Sequence, residues 1–293
     1  MEAARARGHK KAASARAARG DLDGAIRDVR TMIGQSPDSE ETYLTLDNLL
    51  VRRKDDAGRV AMWRDIVREL PDSAMARFCL GLSLEDTGQT EDALEAYKSA
   101  RQLAPKDERI ASRLSDRAFR TAEHLDRQGL HEQAIDAYET AEEVDPDNAP
   151  AALAKGVALQ TLGRTDLAAE AFRKAIALDP DSMEAYESLD AVLTATMTPE
   201  ARRAEWQAMV EARPNAAAAQ YQLARAMEDT GELDRAIEIY RRAIAIDPQF
   251  APARDQLEES LLLKARKTLE HGEAAEAVEA FRHVLEVCPE NAE

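Results

Sequence analysis

The chain has 293 residues, a net charge of −17 and an aromatic content of only 4%. That charge excludes a general attraction to nucleic acid or anionic membranes, and no apolar run approaches the length of a membrane span. Two cysteines far apart in sequence, Cys79 and Cys288, exclude a disulfide framework. Hydrophobic residues reach 44%, but much of this is alanine, which suits stacked helices with close backbones rather than one bulky core. The N-terminus lacks the apolar segment of a signal peptide, so the expected location is cytoplasmic.

Residues 1–20 hold Arg5, Arg7, Lys10, Lys11, Arg16 and Arg19 against Glu2 alone. This basic end on an acidic body is either an electrostatic site or a solvated helix face. Beyond it, prolines mark helix stops at Pro37, Pro71, Pro105, Pro146, Pro180, Pro214, Pro248 and Pro289, spaced 34, 34, 41, 34, 34, 34 and 41 apart. Asp47 and Arg59, in the second repeat, stand where small residues are expected, and they offer a charge-assisted pair or two solvated groups. Trp63 follows as core filler. Glu85–Pro105 reads as a turn, a helix and a stop: Gly88 closes one helix, an acidic first turn opens the next, and Pro105 ends it. The longer interval adds seven residues, nearly two helical turns, so one long helix is expected from Asp107 to about Gln128, with Ile110 and Leu114 on its apolar side. The pattern then returns at an offset of 143: Gly163 for Gly20, Tyr186 for Tyr43, Asp190 with Arg202 for Asp47 with Arg59, Trp206 for Trp63, Gly231 for Gly88 and Gly272 for Gly129. Thr198-Pro199-Glu200 is a helix start, with threonine as cap and proline in the first turn. Glu228–Pro248 repeats Glu85–Pro105, and a second long helix is expected from near Pro252 to Glu270. The sequence is therefore expected to hold two copies of a four-repeat block, 1–146 and 147–293, in one continuous solenoid.

Each unit carries a small residue, a turn glycine, an alanine, an aromatic, an alanine and a proline. They read Gly81, Gly88, Ala93, Tyr97, Ala100, Pro105 and, further on, Gly156, Gly163, Ala168, Phe172, Ala175, Pro180. At this 34-residue period the sequence resembles the tetratricopeptide repeat family over nearly its whole length. The resemblance implies an all-α, right-handed solenoid of stacked antiparallel helix pairs, A and B. It also implies a concave groove lined by the A helices, which binds a peptide or a partner helix.

No catalytic, cofactor or metal site is expected. There is no Gly-rich phosphate loop, no His-Glu-x-x-His and no Cys-x-x-Cys. His124 and His131 are surface residues on this reading, and Cys79 is a packed thiol or a modifiable one. The family's carboxylate clamp for chaperone C-termini is rejected, because Ser14 and Thr45 stand where it needs Asn, and Met75 and Cys79 where it needs Lys and Arg. The groove columns instead place Leu44, Phe78, Phe119 and Leu153 at one level, with Leu82 and Val157 a turn on, Arg120 and Arg127 flanking, and Tyr221 with Arg225 further along. A protein or peptide ligand that is apolar with acidic residues would suit them. These side chains could equally pack against neighbouring helices. The favoured function is a non-enzymatic interaction scaffold. The alternatives are an accessory domain of a longer enzyme, for example a transferase, and nucleic-acid binding through the basic first helix. The ends lack a polar capping helix, which leaves open self-association through faces such as that of Phe281, Leu285 and Val287.

Overall fold

The computed structural model describes residues 11–37 and 39–271, with isolated positions 275, 278, 279, 281 and 282 beyond them. Lys10, Leu285, Val287, Cys288 and Gly272 lie outside the described residues. Among those described, all regular structure is α-helical.

The chain divides into two compact units between Ala151 and Ala152. The first holds α1 (residues 11–18), α2 (Leu22–Gln35), α3 (Glu40–Arg53), α4 (Asp56–Glu69), α5 (Ala74–Asp86), α6 (Thr90–Leu103), α7 (Glu108–Arg127) and α8 (His131–Val144). Short turns make successive helices antiparallel neighbours. α4 packs on α5, α5 on α6, α6 on α7 and α7 on α8, while α3 also touches α5. The second unit holds α9 (Ala149–Thr161, beginning just before the division), α10 (Thr165–Leu178), α11 (Met183–Thr196), α12 (Pro199–Ala212), α13 (Ala217–Asp229), α14 (Leu233–Ile246) and α15 (Ala251–Glu270). It repeats the pattern: α10 on α11, α12 on α13, α13 on α14, α14 on α15, and α11 touching α13.

From α2 to α7, each helix has a counterpart from α10 to α15 whose first and last residues lie 143 positions later. The long helices obey the same rule, since α7 and α15 both have 20 residues. Ile110 and Leu114 are buried in α7, and Asp107 caps it by accepting from the Arg109 and Ile110 N–H groups. The turns match too. Gly88 has φ +74°, its N–H donates to the Glu85 carbonyl, and the Gln89 N–H donates to that of Leu84. Gly231, with φ +82°, does the same through Glu228, and Glu232 through Met227. A residue with a Cβ would be strained in that left-handed conformation, so glycine sets where the first helix stops. Thr198 caps α12 as its sequence indicates, accepting from the Ala201 N–H at 3.3 Å.

The core runs along the facing sides of each helix pair. Ala93, Tyr97 and Ala100 are fully buried, as are Ala168 and Phe172, and Ala236, Tyr240 and Ala243. Small residues opposite the rings let the backbones close. A Cβ on Gly81 would stand 2.5 Å from the Tyr97 ring, and one on Gly156 would stand 2.5 Å from that of Phe172.

Candidate functional site

Two kinds of site are visible in each unit: a buried polar network between the A and B helices, and the exposed side of the A helices.

In the first unit, Asp47 on α3 receives both Arg59 Nε and Nη2 at 2.8 Å, and its Oδ1 also accepts from Trp63 Nε1 at 2.8 Å. Arg59 also pairs with Asp86 on α5. The Asp47 and Arg59 side chains are 11% and 4% exposed, so the pair is a core element and not the weak, partly wet bridge that exposed ion pairs make. Burial works against the Arg59 charge, but its hydrogen bonds to Asp47 and Asp86 hold its pKa above the ordinary value. Cys79 packs nearby, fully buried and free. Burial pushes its thiol well up, Asp47 adds to this and Arg59 opposes it, which disfavours the thiolate that modification needs. The packed reading of Cys79 therefore holds.

In the second unit, Asp190 Oδ1 accepts from Trp206 Nε1 at 2.8 Å, and Arg202 Nε lies 3.4 Å from it. Arg202 turns its other nitrogens to Thr194 and Asp229, both at 2.7 Å. Both Asp–Arg pairs form, and the indole N–H groups complete them. That third partner was open to sequence reasoning, because the only two tryptophans fall in the same repeats as the two misplaced aspartates.

The exposed side of the A helices is less uniform than the groove columns imply. Phe78 is 8% exposed, with its ring 5.7 Å from that of Tyr97, so it is core and offers a partner little surface. Phe119 is half-buried against Tyr138 at 5.8 Å. Leu44 and Leu82 are half-exposed, on the touching helices α3 and α5. Arg120 and Arg127 are exposed on α7 with Arg113, and among the described residues no carboxylate pairs with these three. Two other arginines of α7 are engaged: Arg117 reaches Glu85 on α5 at 3.4 Å, and Arg109 pairs with Asp107 and with Glu40 on α3. His131 contacts Asp126 at 2.5 Å and His124 contacts Gln128.

In the second unit Leu153 is half-exposed and Val157 is 38% exposed. Tyr221 is half-buried, 5.9 Å from Tyr240 and edge-on to Phe250 at 5.6 Å. Arg225 lies over the Tyr221 ring at 5.8 Å and reaches Asp190 and Gln222 at 3.4 and 3.3 Å. Its guanidinium thus serves the fold. Burial raises the Tyr97, Tyr138 and Tyr240 phenols above their ordinary range; Glu85 and Glu228, which accept from Tyr97 and Tyr240, add to this. These phenols stay protonated as donors. Among the described residues, no group of three His, Cys, Asp or Glu is placed to hold a metal ion, and no helix is long and apolar enough to cross a membrane.

A sequence model of the tetratricopeptide repeat matches residues 59–108 and 119–182, and a second matches 217–257, together just over half of the chain. The cellulose synthase 2 operon protein C of Komagataeibacter xylinus is 32% identical over 130 residues, 44% of this chain and 10% of that protein. The mouse protein O-mannosyl-transferase TMTC1 is 36% identical over 97 residues, 33% of this chain and 10% of that protein. The chain spans about a tenth of the length of these relatives. Among solved structures, a MamA protein is 26% identical at a TM-score of 0.40, covering 61% of this chain and 93% of that one. YrrB, described as a TPR protein with an unusual peptide-binding site, is 19% identical at a TM-score of 0.37, covering 65% and 95%. Helix pairs, turn glycines, the 34-residue period and the matched models agree that this chain belongs to the tetratricopeptide repeat family, whose members are protein-interaction scaffolds.

Proposed function

We propose that the first unit binds a partner segment along the exposed side of α3, α5 and α7, and that this segment combines apolar and acidic residues. The observation that carries the reading is the arginine stripe of α7. Arg113, Arg120 and Arg127 are spaced seven apart, which puts them on one helix face, and all three are exposed without a carboxylate partner among the described residues. Exposed Asp116 and Glu123 stand between them at i+3 and i+4 without closing an ion pair among the described residues, so the stripe keeps a single net positive charge in a chain of net charge −17, a local excess that favours an acidic ligand. Half-exposed Leu44, Leu82 and Phe119 on the same three helices supply apolar contact. Leu153 and Val157 form a smaller apolar surface in the second unit.

The test uses Arg113→Glu/Arg120→Glu/Arg127→Glu and, separately, Leu82→Ser, after circular dichroism confirms that both fold. A partner captured by the wild type is then titrated against each. The triple reversal should weaken binding at least tenfold, about 1.4 kcal/mol, with a marked salt dependence in the wild type alone. Unchanged affinity in both variants would remove this surface from consideration. A second reading, an accessory domain beside an enzyme, draws on the stretch shared with the mouse transferase; the full-length gene product decides it.

A further inference from the structure

The helix pairs close in two ways. α5 and α6, α7 and α8, and α13 and α14 approach closely along their lengths, whereas α3 meets α4, and α11 meets α12, at few points. The residues between them account for this. α7 and α8 carry Ala122 and Ala134 at the contact, both fully buried. The wider pairs interpose Asp47 and Arg59, or Asp190 and Arg202, at the same two positions. Each tryptophan then lies beside a tyrosine of the facing helix, Trp63 by Tyr43 at 6.2 Å and Trp206 by Tyr186 at 6.0 Å. Interdigitated side chains hold one spacing. A guanidinium among several acceptors does not, because it can trade one hydrogen bond for another.

The two copies show such a joint in two settings. Both arginines bond to the carboxylate of the next A helix, Arg59 to Asp86 and Arg202 to Asp229. What differs is the grip on the facing helix. Arg59 clasps Asp47 through Nε and Nη2, each at 2.8 Å. Arg202 instead donates from Nη1 to Thr194, one turn beyond Asp190, at 2.7 Å, and its buried Nε faces Asp190 at 3.4 Å without a hydrogen bond. Asp190 is supplied from outside the pair: Arg225 on α13, 40% exposed, reaches its Oδ2 at 3.4 Å. The first joint has neither alternative, since Val51 stands for Thr194 and Leu82 for Arg225. We propose that α11 and α12 form a two-stop hinge: Arg202 holds α11 at Thr194 while Arg225 neutralises Asp190, and moves one turn back onto Asp190 when an anionic group draws Arg225 into solvent. The first joint is the same device locked at its aspartate. Coupling between sites requires an element with two discrete arrangements, and here the core contact and the solvent-facing cation share one carboxylate. The hinge does not rest on the α7 surface, and reversing the α7 arginines leaves it intact.

The experiment reads the two indole N–H groups, which donate to Asp47 and Asp190, together with the backbone amides of α3 and α11, by nitrogen-15 NMR on the full chain. In the wild type, Trp206 and α11 should share one exchange process on the microsecond-to-millisecond scale, seen as relaxation dispersion or as paired resonances. Trp63 and α3 should show none. Arg225→Leu stands in for the withdrawn cation and needs no ligand; it should shift the populations toward the Asp190 setting. Thr194→Val/Arg225→Leu gives the second joint the neighbours of the first and should abolish the exchange. Val51→Thr/Leu82→Arg should install it at Trp63 and α3, which keeps the test open should the other double variant fold poorly. Matching behaviour of the two indoles in the wild type would overturn the proposal. So would exchange confined to the Trp206 indole without α11, or exchange at α11 that survives Thr194→Val/Arg225→Leu.

Discussion

Six helices of the first unit share their bounds, at an offset of 143, with six of the second, yet the polar cores differ. Asp47 grips Arg59 with two hydrogen bonds, whereas Asp190 holds Arg202 only at 3.4 Å. The cause lies in the neighbours. Val51 and Leu82 offer Arg59 and Asp47 nothing polar, so the two groups satisfy each other. Their counterparts are Thr194, which accepts from Arg202, and Arg225, which brings a second cation to Asp190. Cys79 is likewise replaced by Gln222, which engages Arg225. A duplicated backbone does not fix how a buried charge is neutralised; the side chains one turn and one helix away do.

The comparison is broken most directly by removing each aspartate. Asp47→Leu strands a buried guanidinium with only Asp86 and leaves the Trp63 N–H without an acceptor, so it should cost about 3–5 kcal/mol. Asp190→Leu should cost less, by about 1–2 kcal/mol, because Arg202 keeps Thr194 and Asp229 while half-exposed Arg225 can turn to water. Urea unfolding of both variants checks the order, and equal losses would show that the looser geometry has no energetic meaning. Next in size is the contact of the small residue with the ring. Gly81→Ala should lower stability by about 1–2 kcal/mol despite a helix-propensity gain of about 1 kcal/mol, because the new methyl meets the buried Tyr97 ring. The reverse change in the second unit, Ala224→Gly, should also destabilise, by about 1 kcal/mol. The smallest effect is at the ends of α3 and α11. Lys54 closes α3 in the left-handed conformation, φ 58°, while its counterpart Met197 is extended at φ −121°. Lys54→Gly should therefore stabilise by up to about 1 kcal/mol, and Met197→Gly should destabilise by about 0.5 kcal/mol; thermal melts of the two variants must move in opposite directions.

Helix starts, stops and lengths were legible because they are set by local chemistry: Asp107 as cap, Gly88 in the left-handed conformation, Pro105 after the stop. The offset of 143 was legible for the same reason. The candidate surface was less so. Phe78 and Phe119 stand at one position of the A helix, yet one is core and the other half-buried, since exposure depends on how the partner ring settles. Arg225 read as a ligand contact because nothing local shows that Asp190, 35 residues earlier, would claim it.

Trp63 and Trp206 are the only tryptophans in the chain, one to each unit, both buried and both donating to a carboxylate. Their emission is thus a pair of built-in optical gauges, one to each unit, each beside a carboxylate but among different neighbours. A Trp206→Phe chain reports the first unit alone, and a Trp63→Phe chain the second. The protein therefore carries, without any added label, the means to learn whether its two halves melt as one body or in turn.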